Sequence, residues 1–197
     1  MNNLKTAFAV ALAALLSLST IAPVSAARVF NTDTNVWEEA SVVVTRNKRG
    51  SSIKREVVSY ETTLKPGTII VETSERRLYF VLPEGKAMKY GIGVGRDGFR
   101  WSGQHRITRT AEWPGWTPPA QMRKRVPDLP AYMPGGPNNP LGARALYIGS
   151  TLYRIHGTSE PWTIGQAVSS GCIRLTNEDV TDLYERVKVG ALVVVRQ

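Results

Sequence analysis

The chain of 197 residues carries 25 lysines and arginines against 16 acidic residues, giving a formal net charge of +9, and it has a single cysteine. One cysteine rules out an internal disulfide, so stability must come from packing. The basic residues are scattered rather than gathered in one recognition element, which argues against a nucleic-acid-binding protein. A chain this basic is instead attracted to anionic surfaces.

Residues 1–26 have the pattern of a secretory signal peptide. Lys5 gives a basic start, residues 7–21 form an apolar core, and Val24-Ser25-Ala26 is a small-residue cleavage site. A membrane span is the alternative, although the apolar core is short and rich in alanine. We expect export to the periplasm or cell wall, with a possible peripheral contact to cell-wall polymers or the membrane surface.

Residues 27–59 are polar and include a basic run at 46–52. We predict a flexible leader that spaces the domain from the export site or the wall, with a docking arm as the alternative. Residues 60–197 are long enough for one globular domain with a sizeable core.

The globular part is predicted to begin with three strands, at 68–72, 77–82 and 86–94. Residues Gly93 to Gly98 match G-x-G-x-x-G, but a dinucleotide site needs a helix directly afterwards, and residues 99–103 do not supply one. Glycines at a turn between strands explain the match better.

The composition changes sharply over residues 112–141, where eight of the twelve prolines lie together with Trp113, Trp116 and Tyr132. Residues 120–125, after Thr117-Pro118-Pro119, are consistent with one or two helical turns capped by Thr117. Long irregular inserts are commonly lids or binding loops. A surface excursion whose tryptophans pack on the sheet is an equally open interpretation.

A hairpin over 145–148 and 152–155 then carries the chain to His156 at the tip of a strand. Sixteen residues later, Cys172 follows the turn Ser169-Ser170-Gly171, whose backbone amides can point at an oxygen that approaches the sulfur. A free thiol, with a pKa of about 8.5, needs a base such as histidine to act as a nucleophile. On a strand, Arg174 would share a face with the thiol and could hold a substrate carboxylate.

These residues also have structural interpretations, because a lone cysteine is often a small buried hydrophobe and a lone histidine a satisfied structural residue. The other histidine, His105, is predicted at the surface or a strand edge. The chain contains no H-E-x-x-H, paired C-x-x-C, Walker loop or G-x-S-x-G pattern. No metal site is therefore predicted, and the thiol is left as the candidate chemical centre.

The C-terminal residues predict a helix and a final strand. Residues 176–179 form a capping box, and the apolar residues Val180, Leu183, Tyr184 and Val187 then fall on one helical face. Residues 191–195 are predicted to be a buried strand.

Two segments, His156-Gly157-Thr158 and Ser169-Ser170-Gly171-Cys172-Ile173-Arg174, resemble the signature of the YkuD-type L,D-transpeptidases, the ErfK/YbiS/YcfS/YnhG group. The resemblance extends from Pro66 to Val195, and Ser170 stands where many members carry a second histidine. It implies a mainly β fold, a mixed β-sheet sandwich or barrel over 60–197. One amphipathic helix would follow the cysteine, and the Pro/Trp-rich insertion would be a substrate-flanking lid.

The resemblance also implies a site and a reaction. Cys172 would be the nucleophile, His156 the general base and acid, and Ser170 and Gly171 the oxyanion turn. The implied substrate-binding residues are Gly157, Thr158, Trp162, Ser169 and Arg174. The enzyme would form a thioester with a peptidoglycan stem peptide, release D-alanine and pass the acyl group to an amine, making a 3-3 crosslink without metal or organic cofactor.

Three other functions remain open. Water as the acceptor would make an L,D-carboxypeptidase or endopeptidase, and an amine on a protein would make an anchoring enzyme. A non-catalytic cell-wall-binding module, with Ser170 as a mark of decay, is the alternative from a different class.

Overall fold

The computed structural model describes residues 28–31, 36–39 and 50–197. The predicted signal peptide and most of the basic run at 46–52 lie outside these residues. Within them, no helix has the length and apolar character needed to cross a membrane.

The described residues form thirteen strands, two α-helices and one 3-10 turn. The strands are β1 Arg28–Asn31, β2 Val36–Glu39, β3 Glu56–Ser59, β4 Ile69–Glu72, β5 Arg77–Leu82, β6 Lys86–Gly91, β7 Val94–Gly95, β8 Gly103–Glu112, β9 Arg144–Ile148, β10 Arg154–His156, β11 Ala167–Ser169, β12 Ile173–Arg174 and β13 Leu192–Arg196. The helices are α1 Ala120–Arg125 and α2 Asn177–Arg186, and the 3-10 turn is Pro161–Thr163.

Nine strands make one mixed sheet in the order β12-β10-β9-β8-β13-β4-β5-β6-β3. The pairs β10/β12 and β13/β4 are parallel, and the other neighbours are antiparallel. Gly93, just after β6, bridges Arg174 of β12 through two backbone hydrogen bonds of 2.9 Å, so the sheet curls back toward its own edge. The predicted mainly β fold with a mixed sheet is confirmed.

The core lies inside this curl and is closed by α2. Alternating apolar residues from β4, β5, β8, β9, β10 and β13 are buried there, among them Ile69, Leu78, Ile107, Leu146, Ile155 and Val193. Helix α2 starts at Thr176, whose Oγ1 accepts from the amide of Asp179 at 3.1 Å, and it buries Val180 and Leu183 fully. The capping residue and the apolar face of this helix are thus as the sequence predicts.

The predicted leader contains three strands. β1 and β2 pair as an antiparallel hairpin, and β3 pairs with β6 at the edge of the main sheet. Phe30 of β1 is 1% exposed and stacks on Trp116 with ring centroids 6.2 Å apart. It joins a second apolar cluster with Trp116, Met122, Leu129 and Leu141.

The Pro/Trp-rich insertion contains the predicted short helix, α1, but its start differs from the prediction. Pro119 is the capping residue and no side chain caps the helix, so the prediction that Thr117 caps it is wrong. Trp116 packs into the second cluster, while Trp113 and Tyr132 are largely exposed. The segment therefore combines a packed part with an exposed rim.

Candidate active site

His156 ends β10 and is 4% exposed. Its Nδ1 lies 2.6 Å from the carbonyl oxygen of Gly157. Because a carbonyl can only accept, Nδ1 is the donor in this contact, and Nε2 of the neutral ring is left as the acceptor. The backbone therefore selects the tautomer that a general base requires.

Burial lowers the pKa of His156 to about 3, and the nearby positive charge of Arg174 adds to the effect. Hydrogen bonds to the backbone of Gly157 and of Leu141, the latter at the end of the insertion, act in the opposite direction. The imidazole is thus neutral at neutral pH, and on its own it is a weak base.

Cys172 is half-buried in the turn before β12, with Sγ 4.0 Å from the carbonyl oxygen of Leu152. Ser169 ties this turn together. Its Oγ donates to the carbonyl of Cys172 at 2.6 Å and accepts from the amide of Gly171 at 3.2 Å. The indole Nε1 of Trp101 donates to the carbonyl of Gly171 at 2.7 Å, so hydrogen bonds hold the turn from both sides.

Glycine is required at 171 for two reasons. Its φ of +104° lies in the left-handed region, and a Cβ there would meet the ring of Tyr153 at 2.5 Å. Tyr153 in turn stacks on Trp101, with centroids 4.5 Å apart and planes 3° from parallel. This aromatic pair lies close to the backbone at Gly171 and so restricts the backbone conformation just before Cys172.

The parallel pairing of β10 and β12 brings the thiol and the imidazole to the same part of the sheet. Ile155 pairs with Ile173 and His156 with Arg174, and the amide of Leu175 donates to the carbonyl of His156 at 2.9 Å. Cys172 is two residues before Arg174, so continuing the alternation of β12 by one residue into the turn would direct its side chain to the face of His156. Residues sixteen apart in sequence thereby lie at the end of β10 and directly before β12, its parallel neighbour.

Arg174 is 5% exposed, and its Nη1 lies 3.6 Å from Oε2 of the equally buried Glu160. Thr158 fixes the start of the Glu160 turn, since its Oγ1 accepts from the Glu160 amide at 2.9 Å. A substrate carboxylate at Arg174 would have to compete with Glu160. No periodic signal in the sequence indicates that Glu160 meets Arg174, so this pairing is not predictable from sequence.

The other residues predicted to bind substrate differ in accessibility. Gly157, Thr158 and Ser169 are buried, Trp162 is half-buried in the 3-10 turn, and Ser170 is exposed. A Cβ at Gly157 would collide with Oδ1 of Asn177. The same oxygen accepts from the amide of Ala143 at 2.9 Å, so Asn177 joins the end of the insertion to the His156 strand. The sequence pattern places Asn177 in a capping box and does not indicate its contact with Ala143.

The class that these features define is a curled mixed-sheet domain with a candidate imidazole at the end of one strand and a candidate thiol just before the neighbouring one. Residues 66–195 match the family model of YkuD, the L,D-transpeptidase catalytic domain. The chain belongs to this family.

The chain is 38% identical over 162 residues to the probable L,D-transpeptidase ErfK/SrfK of Escherichia coli K12, covering 78% of this chain and 51% of that protein. It is 43% identical over 135 residues to the probable L,D-transpeptidase YbiS of the same strain, covering 64% of this chain and 43% of that protein. The chain therefore spans about half the length of these curated relatives.

Two solved structures share the fold. One, from Brucella melitensis, is named a probable carnitine operon oxidoreductase; it is 42% identical, covers 77% of this chain and 98% of its own, and has a TM-score of 0.52. The L,D-transpeptidase of Enterococcus faecium is 16% identical, covers 68% of this chain and 50% of its own, and has a TM-score of 0.51.

In this chain, residues 93–98 lead through β7 and a turn toward β8 with no helix directly after them, so the G-x-G-x-x-G match gains no structural support.

Proposed function

We propose that this chain is a cysteine-dependent L,D-transpeptidase that acts on peptidoglycan stem peptides. The observation that carries the proposal is the parallel register of β10 and β12. It puts Cys172 on the same face as His156, whose Nδ1 is already committed to the Gly157 carbonyl.

In the first step, Nε2 of His156 accepts the thiol proton of Cys172, and the sulfur attacks the donor carbonyl. That carbonyl belongs to the L-centre of a diaminoacyl residue joined to a terminal D-alanine. The low pKa of His156 makes this proton transfer unfavourable for the isolated ring. It becomes feasible because the thiolate forms beside the imidazolium, and the two opposite charges stabilise each other in a partly water-free site.

We place the oxyanion of the tetrahedral intermediate at the turn 170–172. Since the Gly171 amide donates to Ser169 Oγ, the amide of Cys172 is our candidate donor, with Ser170 at the exposed rim. When the intermediate collapses, the C–N bond breaks, D-alanine leaves with the proton from His156, and a thioester remains on Cys172.

An amine of a second stem peptide then attacks the thioester and restores the thiol, which gives a 3-3 crosslink. Hydrolysis is the rival outcome, because Cys172 is half-buried rather than sealed and water can compete with the amine. We further propose that residues 1–26 direct export and that the reaction takes place in the periplasm or cell wall.

The test is mass spectrometry of the products formed from purified disaccharide-tetrapeptide by the protein and by its Cys172→Ala variant. We expect crosslinked dimers that lack one D-alanine, absent with the variant. Tripeptide alone would identify water as the acceptor. Product formation by Cys172→Ala near the wild-type rate would refute the nucleophile.

His156→Gln tests the base. We expect a fall of about 10²- to 10⁴-fold in the rate at which the thioester accumulates on Cys172, followed by intact-protein mass spectrometry. An unchanged rate at neutral pH would remove His156 from the mechanism.

A further inference from the structure

Three side chains form a row across the strands next to Cys172. Tyr147 of β9 pairs in register with Arg154 of β10 on one side and with Arg109 of β8 on the other. The guanidinium carbons of Arg109 and Arg154 lie 3.6 and 5.4 Å from the centroid of the Tyr147 ring. We call Arg109, Tyr147 and Arg154 the arginine–tyrosine row.

The row lies on the face that carries the nucleophile. Leu146, Ile155 and Ile173 point into the core, so their neighbours Tyr147, Arg154 and Cys172 point away from it. Continuing the β10/β12 register by one pair sets Cys172 opposite Arg154. With strands about 4.8 Å apart, the row extends roughly 10 Å from β10 to β8.

A bulge brings Arg109 onto this face. Ile107 is buried in the core and pairs with Ile148, but the next pair is Arg109 with Tyr147, so Thr108 is the extra residue. Oγ1 of Thr108 donates to the carbonyl of Gly149 at 3.0 Å, which holds the bulge. Without it, strict alternation would turn Arg109 inward.

No ion pair within the described residues neutralises the two guanidinium groups of the row. Across residues 28–31, 36–39 and 50–197, no carboxylate forms an ion pair with Arg109 or Arg154. Nε of Arg154 is buried there without a hydrogen-bond partner. Arg144, on the same sheet, is by contrast paired with Glu112 at 3.3 Å. An aromatic ring attracts a cation but does not neutralise it, so the row is equipped to receive an anion.

We propose that the arginine–tyrosine row binds the free carboxylates of a stem peptide that lies across β10, β9 and β8 with one end at Cys172. The inference rests on the proposed function and assigns part of its substrate recognition. The planar guanidinium groups present paired N–H donors to carboxylates, and the spacing suits acidic groups several ångströms apart. The charge of Arg154 also acts on His156, which places the row close to the reacting groups.

The first experiment measures binding and needs no turnover. Calorimetry would compare the Cys172→Ala protein with the same protein carrying Arg154→Gln or Arg109→Gln, each with disaccharide-tetrapeptide and with the same compound after its carboxylates are converted to amides. We expect each substitution to weaken binding of the acidic compound roughly three- to tenfold. Binding of the amidated compound should not change. Arg154→Lys, which keeps the charge but not the planar group, should fall between.

The matched control is Arg106→Gln. Arg106 is an exposed arginine of β8, as is Arg109. It donates, however, to the carbonyl of Gly190 and lines a separate cavity of about 830 Å³ with Lys65, Arg186 and Lys188. This variant should bind as tightly as its parent. Equal losses in all three variants, or unchanged binding in Arg109→Gln and Arg154→Gln, would overturn the proposal.

A second experiment decides which stem the row holds. In protein with Cys172 intact, slower thioester formation in Arg154→Gln would assign the row to the donor, and slower transfer from a preformed thioester would assign it to the acceptor. Both rates unchanged would contradict the proposal. If no thioester forms in the wild type while carboxylate-dependent binding is still lost in the variants, the catalytic proposal fails and the binding row stands.

Discussion

His156 is a titratable side chain that is buried in the fold. Its burial should therefore make the stability of the protein depend on pH. Its pKa is about 3 in the folded protein against a usual value of 6.5. The unfolded chain therefore binds the proton more readily between these two values. The contribution of this residue to stability is fully present above about pH 6.5 and is lost as the pH falls toward 3.

We predict that the wild type loses stability relative to His156→Gln by roughly 1.4 kcal/mol for each pH unit within that window. Urea unfolding of both proteins at pH 7.5 and pH 4.5 measures the difference. Other titrating groups are common to the two proteins and cancel in the comparison. Parallel pH profiles would show that the imidazole takes up its proton over the same pH range in the folded and unfolded protein, which would contradict the lowered pKa.

Helix α2 does more than cover the core, because its first turn lies beside the site. Thr176 caps the helix, while Asn177, the next residue, accepts from Ala143 and fills the space left by Gly157. Farther along, Asp182 accepts from the hydroxyl of Tyr90 and pairs with Arg186, so the helix is also fastened to β6. The helix start is thus a joint between the insertion and the His156 strand.

Thr176→Ala and Asn177→Ala separate these two roles. Each should cost about 1 kcal/mol of unfolding free energy, since each removes one side-chain acceptor. Only Asn177→Ala should speed hydrogen exchange at the Ala143 amide and slow thioester formation on Cys172. Equal exchange at Ala143 in the two variants would mean that the joint does not depend on Asn177.

The elements with local signals were predictable from sequence, and the contacts that join distant ones were not. The α2 face and the strands β4 and β5 follow from periodicity and a cap within a few residues. The approach of Cys172 to His156 is an expectation that rests on a family signature, because no local pattern specifies a parallel pair. The pairing of Arg174 with Glu160 and the bulge at Thr108 arise from packing between strands, which short windows of sequence do not record.

The second apolar cluster links the N-terminal hairpin to the site through the insertion. Phe30 stacks on Trp116 and lies edge-on to Trp37, with ring centroids 5.4 Å apart in the latter pair. Leu141 belongs to the same cluster, and its backbone lies near enough to the His156 ring to oppose the lowering of the imidazole pKa. The hairpin lies outside the family match at 66–195, yet it packs on the insertion, whose last residue is Leu141.

Phe30→Ala should therefore act on both stability and reaction rate. Removing a buried phenylalanine costs about 3–5 kcal/mol when the surrounding cluster unfolds with the rest of the domain. We expect a loss of this order in urea unfolding, faster proteolysis within 113–141 and slower thioester formation. Val57→Ala is the control, since Val57 is 53% exposed on β3 and should change none of the three.

If Phe30→Ala loses little stability but still opens the insertion to protease, the cluster unfolds as a separate unit, and the rate of acylation then reports how far His156 depends on it. If neither stability nor proteolysis changes, the hairpin does not pack on the insertion in solution, because a phenylalanine 1% exposed cannot be truncated there without loss of its contacts.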